Sequence, residues 1–191
     1  MFFKQANIKY IVAGLGNPGE KYAFTRHNAG FLALDYISQK YDFKINAVKF
    51  KSLAAKYDSA LFLKPQTYMN NSGEAVSEAA RFYKIPPENI LVISDDASLP
   101  PGKLRIRKSG SDGGQKGLRS ITEHLSRDTF PRIKIGVGEK PRPDYDMADW
   151  VLSRFTKEEE KIIFGALAKV CECVDMFLKE EPIEKIQNKY N

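Results

Sequence analysis

Two cysteines, two histidines and one tryptophan are little material for metal, redox or disulfide chemistry in a chain of 191 residues. Cys171 and Cys173 lie two apart in a stretch of helical period, so they point to different faces and make neither a CxxC motif nor an ordinary bridge. His27 and His124 are far apart, with no cysteine pair beside either, so no conventional zinc pattern is present and no metal is expected. No apolar run approaches the roughly 18 residues of a membrane span. The opening MFFKQANIKYIVAG has no uninterrupted apolar h-region with a small-residue cleavage site, so the expected setting is the cytoplasm, away from any membrane. There is no GxSxG elbow and Ser94 is not flanked by glycines, which removes the main sign of a serine hydrolase.

Charge is unevenly placed along the chain. The 30 Lys and Arg exceed the 24 Asp and Glu, for a net charge of +6. Between Pro101 and Lys134 stand nine basic residues (Lys103, Arg105, Arg107, Lys108, Lys116, Arg119, Arg127, Arg132 and Lys134) against Asp112, Glu123 and Asp128; elsewhere the two signs balance. Such a stretch is the footprint of a polyanion-binding surface, although an unevenly solvated surface produces the same count.

Hydrophobic period and punctuation give the order of elements. A buried strand is expected over Lys9 to Ala13, then a glycine loop to Gly19, then a helix from about Asn28 to Tyr41 with Thr25 as an upstream cap. Two strands, Phe50 to Lys56 and Ala60 to Leu63, pair through Tyr57-Asp58-Ser59, and a helix covers about Ser72 to Tyr83. Ile90 to Ile93 reads as a central strand ending in Ser94-Asp95-Asp96, and Leu104 to Lys108 as a half-exposed strand with one cationic face. A helix over Lys116 to Leu125, a strand over Ile133 to Val137 and an acidic loop over Pro141 to Asp149 follow. Thr156 and Glu159 form a capping box for a helix running to about Leu178, and a short helix follows Pro182. This alternation predicts an α/β fold: one domain over residues 1–191, its mixed sheet sandwiched between helices. Ligands should then bind beyond the carboxyl ends of the strands.

Gly14-Leu15-Gly16-Asn17-Pro18-Gly19 follows a strand and matches GxGxxG, with Asp35 at ribose-binding distance in sequence. Against a dinucleotide site, Pro18 has no N–H for a pyrophosphate, and the helix does not begin at the third glycine. His27 is the candidate base, for which Asp95, at the end of a buried strand, is the candidate orienting carboxylate; either could instead be a satisfied structural residue. Asp96 should face the other way, solvated or capping. Asn17 and Asn70 offer amide groups from two further strand ends, turn roles being their default. His124, late in a short helix, suits the negative helix end. With no covalent nucleophile in view, the target of a His27 base is a water.

At this point the chain resembles a family. GLGNPGEKYAFTRHNAG (14–30), KPQTYMNNSG (64–73), ISDDASLPPGKLRIRKSGSDGGQKGLRSI (93–121) and RIKIGVG (132–138) are similar, in order, to the signature blocks of bacterial peptidyl-tRNA hydrolase. The resemblance implies a metal-free, cofactor-free cytoplasmic monomer that cleaves the ester joining a peptide to the 3′ end of tRNA. It implies His27 as catalytic base, Asp95 as its carboxylate, and Asn17 as the residue that tells N-blocked peptidyl from free aminoacyl ends. Tyr22, Tyr68, Met69 and Asn70 would meet the tRNA end and the peptide, and Lys103, Arg105 and Arg107 the tRNA phosphates. Where many members read GGHNG this chain has Gly113-Gly114-Gln115-Lys116-Gly117, so Gln115 and Lys116 stand in the substrate-binding block in place of His and Asn. A non-catalytic RNA-binding protein on the same fold is the competing expectation.

Overall fold

The structure, a computed structural model, describes residues 7–191; residues 1–6 lie outside it. Seven strands form one mixed sheet: β1 (Tyr10–Gly14), β2 (Ala47–Lys49), β3 (Ser52–Tyr57), β4 (Ala60–Pro65), β5 (Ile90–Asp96), β6 (Leu104–Arg107) and β7 (Arg132–Gly136). Their spatial order is β2-β3-β4-β1-β5-β7-β6. The central four, β4-β1-β5-β7, run parallel, while β2, β3 and β6 close the two sides in antiparallel fashion.

The parallel strands are buried on both faces because their side chains alternate between two cores. Tyr10, Val12, Phe62, Leu91, Ile93, Ile133 and Ile135 face α1 (Ala29–Lys40), α5 (Lys157–Leu178) and α6 (Ile183–Tyr190). Ile11, Ala13, Leu61, Leu63, Ile90 and Val92 face α2 (Ser72–Tyr83) and α3 (Lys116–Leu125). The expected sandwich is therefore the one observed. Cys171 and Cys173 are both free and buried in α5, and no described helix is long and apolar enough to cross a membrane.

Two local expectations need correction, and one strand was not expected. The acidic loop is helical at its end: Met147–Leu152 forms α4, because the Asp146 carboxylate accepts the Asp149 N–H at 3.0 Å and caps it. Thr25 does not cap the first helix; its hydroxyl donates to the Tyr22 carbonyl, and two 3-10 turns, Glu20–Tyr22 and Arg26–Asn28, intervene before α1. The short edge strand β2, exposed throughout, carries no alternation that would announce it.

Helix α1 lies close to the sheet at one glycine. A Cβ on Gly30 would come within 2.4 Å of both the Ile93 carbonyl oxygen and the Leu15 nitrogen. Gly30→Ala should therefore displace α1 and cost about 1–3 kcal/mol as overpacking, lowering the melting temperature by about 2–4 °C per kcal/mol. Thermal unfolding checks this; an unchanged midpoint would show that the close approach is not needed.

Candidate active site

The loops beyond the carboxyl ends of the parallel strands enclose a cleft of about 1020 Å³ lined by Asn17, His27, Met69, Asn70, Asp95 and Lys116 among others. Asn17 follows β1, Tyr68 to Asn70 follow β4, Asp95 is the penultimate residue of β5, and the segment from Glu139 follows β7. The topology thus brings together residues that are far apart in the chain, at the end of the sheet where an α/β fold places its ligands.

Asp95 is buried and uses both carboxylate oxygens. Its Oδ2 lies 2.9 Å from His27 Nδ1, and its Oδ1 accepts from Gln115 Nε2 at 3.0 Å. The Gln115 Oε1 accepts the Leu118 N–H at 2.9 Å and so caps α3, while its Nε2 also lies 3.1 Å from the Met69 sulfur. Gln115 lines the cleft, yet its donors and acceptor are engaged inside the protein. Gly117 makes this packing possible, since a Cβ there would stand 2.6 Å from the Met69 sulfur.

The Asn17 amide is oriented from below. The Met69 N–H donates to its Oδ1 at 2.8 Å, and Asn28 brackets its backbone, accepting from the Asn17 N–H and donating to the Asn17 carbonyl, each at 2.9 Å. These bonds leave the Asn17 Nδ2 group for a ligand in the cleft. Next to this contact Tyr68 has φ 59° and ψ 163°, a conformation that costs a non-glycine residue about 1–3 kcal/mol. The Met69–Asn17 bond helps hold that strain at the cleft wall, where the Tyr68 ring is exposed.

His27 is fixed by its sequence neighbour. Arg26, 2% exposed, donates to both Glu159 oxygens at 2.9 and 2.8 Å, to the Val137 carbonyl and to Ser153 Oγ, with its guanidinium 3.8 Å from the centre of the Trp150 ring. Nothing in one sequence marks an arginine in this loop as buried. Glu159 is readable as half of a capping box, which it completes with Thr156, but its partnership with Arg26 joins segments 133 residues apart.

The other candidates divide into two groups. Tyr68, Met69, Asn70, Gln115 and Lys116 line the cleft; Tyr22, Lys103, Arg105 and Arg107 do not. Tyr22 is half-buried with the Lys21 ammonium 4.7 Å over its ring. Arg105 stands opposite Lys134 in the β6–β7 register, and Lys134 lines the cleft, so the basic edge strand begins about 4.8 Å beyond the cleft wall. The cationic stretch is smaller than its residue count. Arg132 is fully buried, bonding the carbonyls of Phe130, Gly110 and Asp128, and Lys134 is 8% exposed beside Asp96 at 3.5 Å. Asp96 caps its own turn by accepting from Ser98; burial works to raise its carboxyl, but the Ser98 bonds, Lys134 and Arg105 hold it below its ordinary value.

Asp35, the residue a dinucleotide site would need, is held by Lys64 at 2.7 and 2.8 Å. His124 is exposed in the last turn of α3, with Nδ1 2.8 Å from the Ser120 carbonyl oxygen, and does not line the cleft. The described residues contain no group of three metal-ligating side chains.

Residues 11–191 match the family model described as peptidyl-tRNA hydrolase. The chain is 47% identical over 188 residues to the peptidyl-tRNA hydrolase of Caldicellulosiruptor saccharolyticus, covering 96% of this chain and 97% of that one. It is 48% identical to the Lachnospira eligens protein of the same name, covering 95% and 99%. Among solved structures, peptidyl-tRNA hydrolase from Acinetobacter baumannii superposes with a TM-score of 0.86 at 32% identity, covering 98% of this chain and 96% of that one.

The Arg26–Glu159 pair gives the site a pH signature. Burial works to raise the Glu159 carboxyl, but hydrogen bonds from Arg26 and Thr156 and the Arg26 charge hold it below its ordinary value of 4.5. A carboxylate lowered in the folded state contributes stability that is complete above the unfolded value and is lost as pH falls through the lower folded one. Melting temperature should therefore fall on acidification below about 4.5, and Glu159→Gln should fall less steeply there. Parallel limbs for the two proteins would remove Glu159 from the account.

Proposed function

This chain belongs to the peptidyl-tRNA hydrolase family and hydrolyses peptidyl-tRNA; we propose that His27 is the general base of that reaction, oriented by Asp95, with Asn17 reading the acylated end of the substrate. The observation that carries this reading is the 2.9 Å contact between His27 Nδ1 and a buried carboxylate inside the cleft. An ionised carboxylate only accepts, so the imidazole proton resides on Nδ1 and Nε2 keeps its lone pair. Nε2 withdraws a proton from water as the water attacks the ester carbonyl. The resulting imidazolium then returns the proton to the departing 3′ oxygen of the tRNA. Asn70, exposed on the cleft wall, donates to the oxyanion that develops between these steps.

Specificity follows from the fixed Asn17 amide. Its Nδ2 donates, so it pairs with the carbonyl oxygen of an acylated amino group; a free, protonated α-amino group has only donors and finds no acceptor there. Lys103, Arg105 and Arg107 hold phosphates of the acceptor stem, and Tyr22 and Tyr68 meet the 3′ end. Lys116 sits at the positive end of α3, where a cation does not stabilise the helix, so its place is explained by a phosphate or the ester carbonyl. The protein acts as a cytoplasmic monomer and returns tRNA from stalled or aborted translation to use.

Incubation with an N-acetyl-aminoacyl-tRNA and its unblocked counterpart tests the assignment: release from the blocked substrate alone is expected. His27→Ala should lower turnover by about 10²–10⁴ with little change in tRNA affinity, and retention of most of the turnover would reject the base. Log affinity should fall with log salt, and Arg105→Ala should make the slope shallower by about 0.7–0.9 if one phosphate contact is lost. An unchanged slope would place the tRNA elsewhere on the surface.

A further inference from the structure

We propose that Gln115 is a positioning residue for catalysis, holding the Asp95 carboxylate in the one orientation that serves His27. The inference rests on the assignment of His27 and Asp95 made above. Asp95 has two oxygens, and only one can face the His27 ring. A carboxylate anchored at that oxygen alone is free to pivot about its terminal torsion, which is broad for aspartate. The Gln115 Nε2 bond to Oδ1 at 3.0 Å removes this freedom and satisfies the second oxygen of a group that is 3% exposed.

Gln115 is itself held at three points. Its Oε1 accepts the Leu118 N–H, its Nε2 reaches the Met69 sulfur, and its backbone N–H donates to the Asp112 carbonyl at 3.2 Å. The position requires one donor and one acceptor on the same side chain, at the reach of a long residue. Lys and Arg have no acceptor for the Leu118 N–H, and an ionised Glu has no donor for Asp95. A glutamine amide meets both needs, donating through Nε2 and accepting through Oε1.

The same residue links the two halves of the site. From His27 the contacts run through Asp95, Gln115 and Met69 to Asn17, and Asn28, bonded to the Asn17 backbone, returns the path to the neighbour of His27. Gln115 therefore sets the carboxylate and supports the wall that carries the amide reader.

Two variants separate this role from helix capping. Gln115→Ser retains a good N-cap for α3 but is too short for Asp95, and Gln115→Glu keeps the length and the capping oxygen while replacing the donor by an anion. Both should lower kcat by about tenfold or more, the loss expected for a hydrogen bond to a charged group, with KM within about twofold if substrate contacts are intact. The downfield Nδ1 proton resonance of His27 should shift or vanish in both. Wild-type kcat and an unchanged resonance in either folded variant would overturn the proposal, as would a raised KM at constant kcat, which marks a substrate contact. His27→Ala in the same assay keeps the two readings apart. If it remains active the base assignment fails, whereas its inactivity beside an active Gln115→Ser removes only the role of Gln115.

Discussion

The active end of this protein depends on one buried carboxylate. Asp95 leaves the core at the end of β5 and is met on its two oxygens by groups from different elements, His27 from the turn before α1 and Gln115 from the start of α3. A carboxylate 3% exposed is costly without such partners, so its burial is tolerable only because both oxygens are satisfied. That requirement ties together the two helical layers, which otherwise touch opposite faces of the sheet. Chemistry and packing thus share one constraint: displacing either layer unpairs the carboxylate and misplaces the imidazole.

The opposite side of the site is secured by charge as well as by apolar packing. Arg26 is stacked on Trp150 and paired with Glu159, whose Oε2 also accepts the Thr156 N–H at the start of α5. One glutamate therefore begins the longest helix and anchors the residue before His27. Breaking a buried pair of this kind leaves an uncompensated charge, which explains why a loop with only 3-10 turns can hold the His27 side chain in place.

The periodic elements are readable from the sequence because their burial is one-sided or complete. The strands Tyr10–Gly14 and Ile90–Asp96, the helix Lys116–Leu125 and the Thr156–Glu159 box all fall where hydrophobic period and capping chemistry place them. The elements that escape are those made by contacts distant in sequence or by a polar cap: the short helix Met147–Leu152, the exposed strand Ala47–Lys49 and the buried Arg26. Site candidates are readable as residue types at strand ends, and the cleft gathers His27, Asp95, Asn17 and Asn70. The contact of Gln115 with Asp95 is not readable, since it joins the start of a helix to the end of a strand 20 residues away. Counting charge overstated the cationic face, because Arg132 and Lys134 use theirs inside the fold.

If Asp95 acts by holding the His27 proton on Nδ1, removing only its charge should disable the base while leaving the cleft in shape. The direct measurement is the single-turnover hydrolysis rate of Asp95→Asn on N-acetyl-aminoacyl-tRNA, with tRNA affinity measured alongside. An amide at this position permits the wrong tautomer, for which losses near 10⁴ are known in a comparable arrangement. A fall of at least about 10² at nearly constant affinity is expected. A rate close to that of the unaltered protein would contradict this role of Asp95.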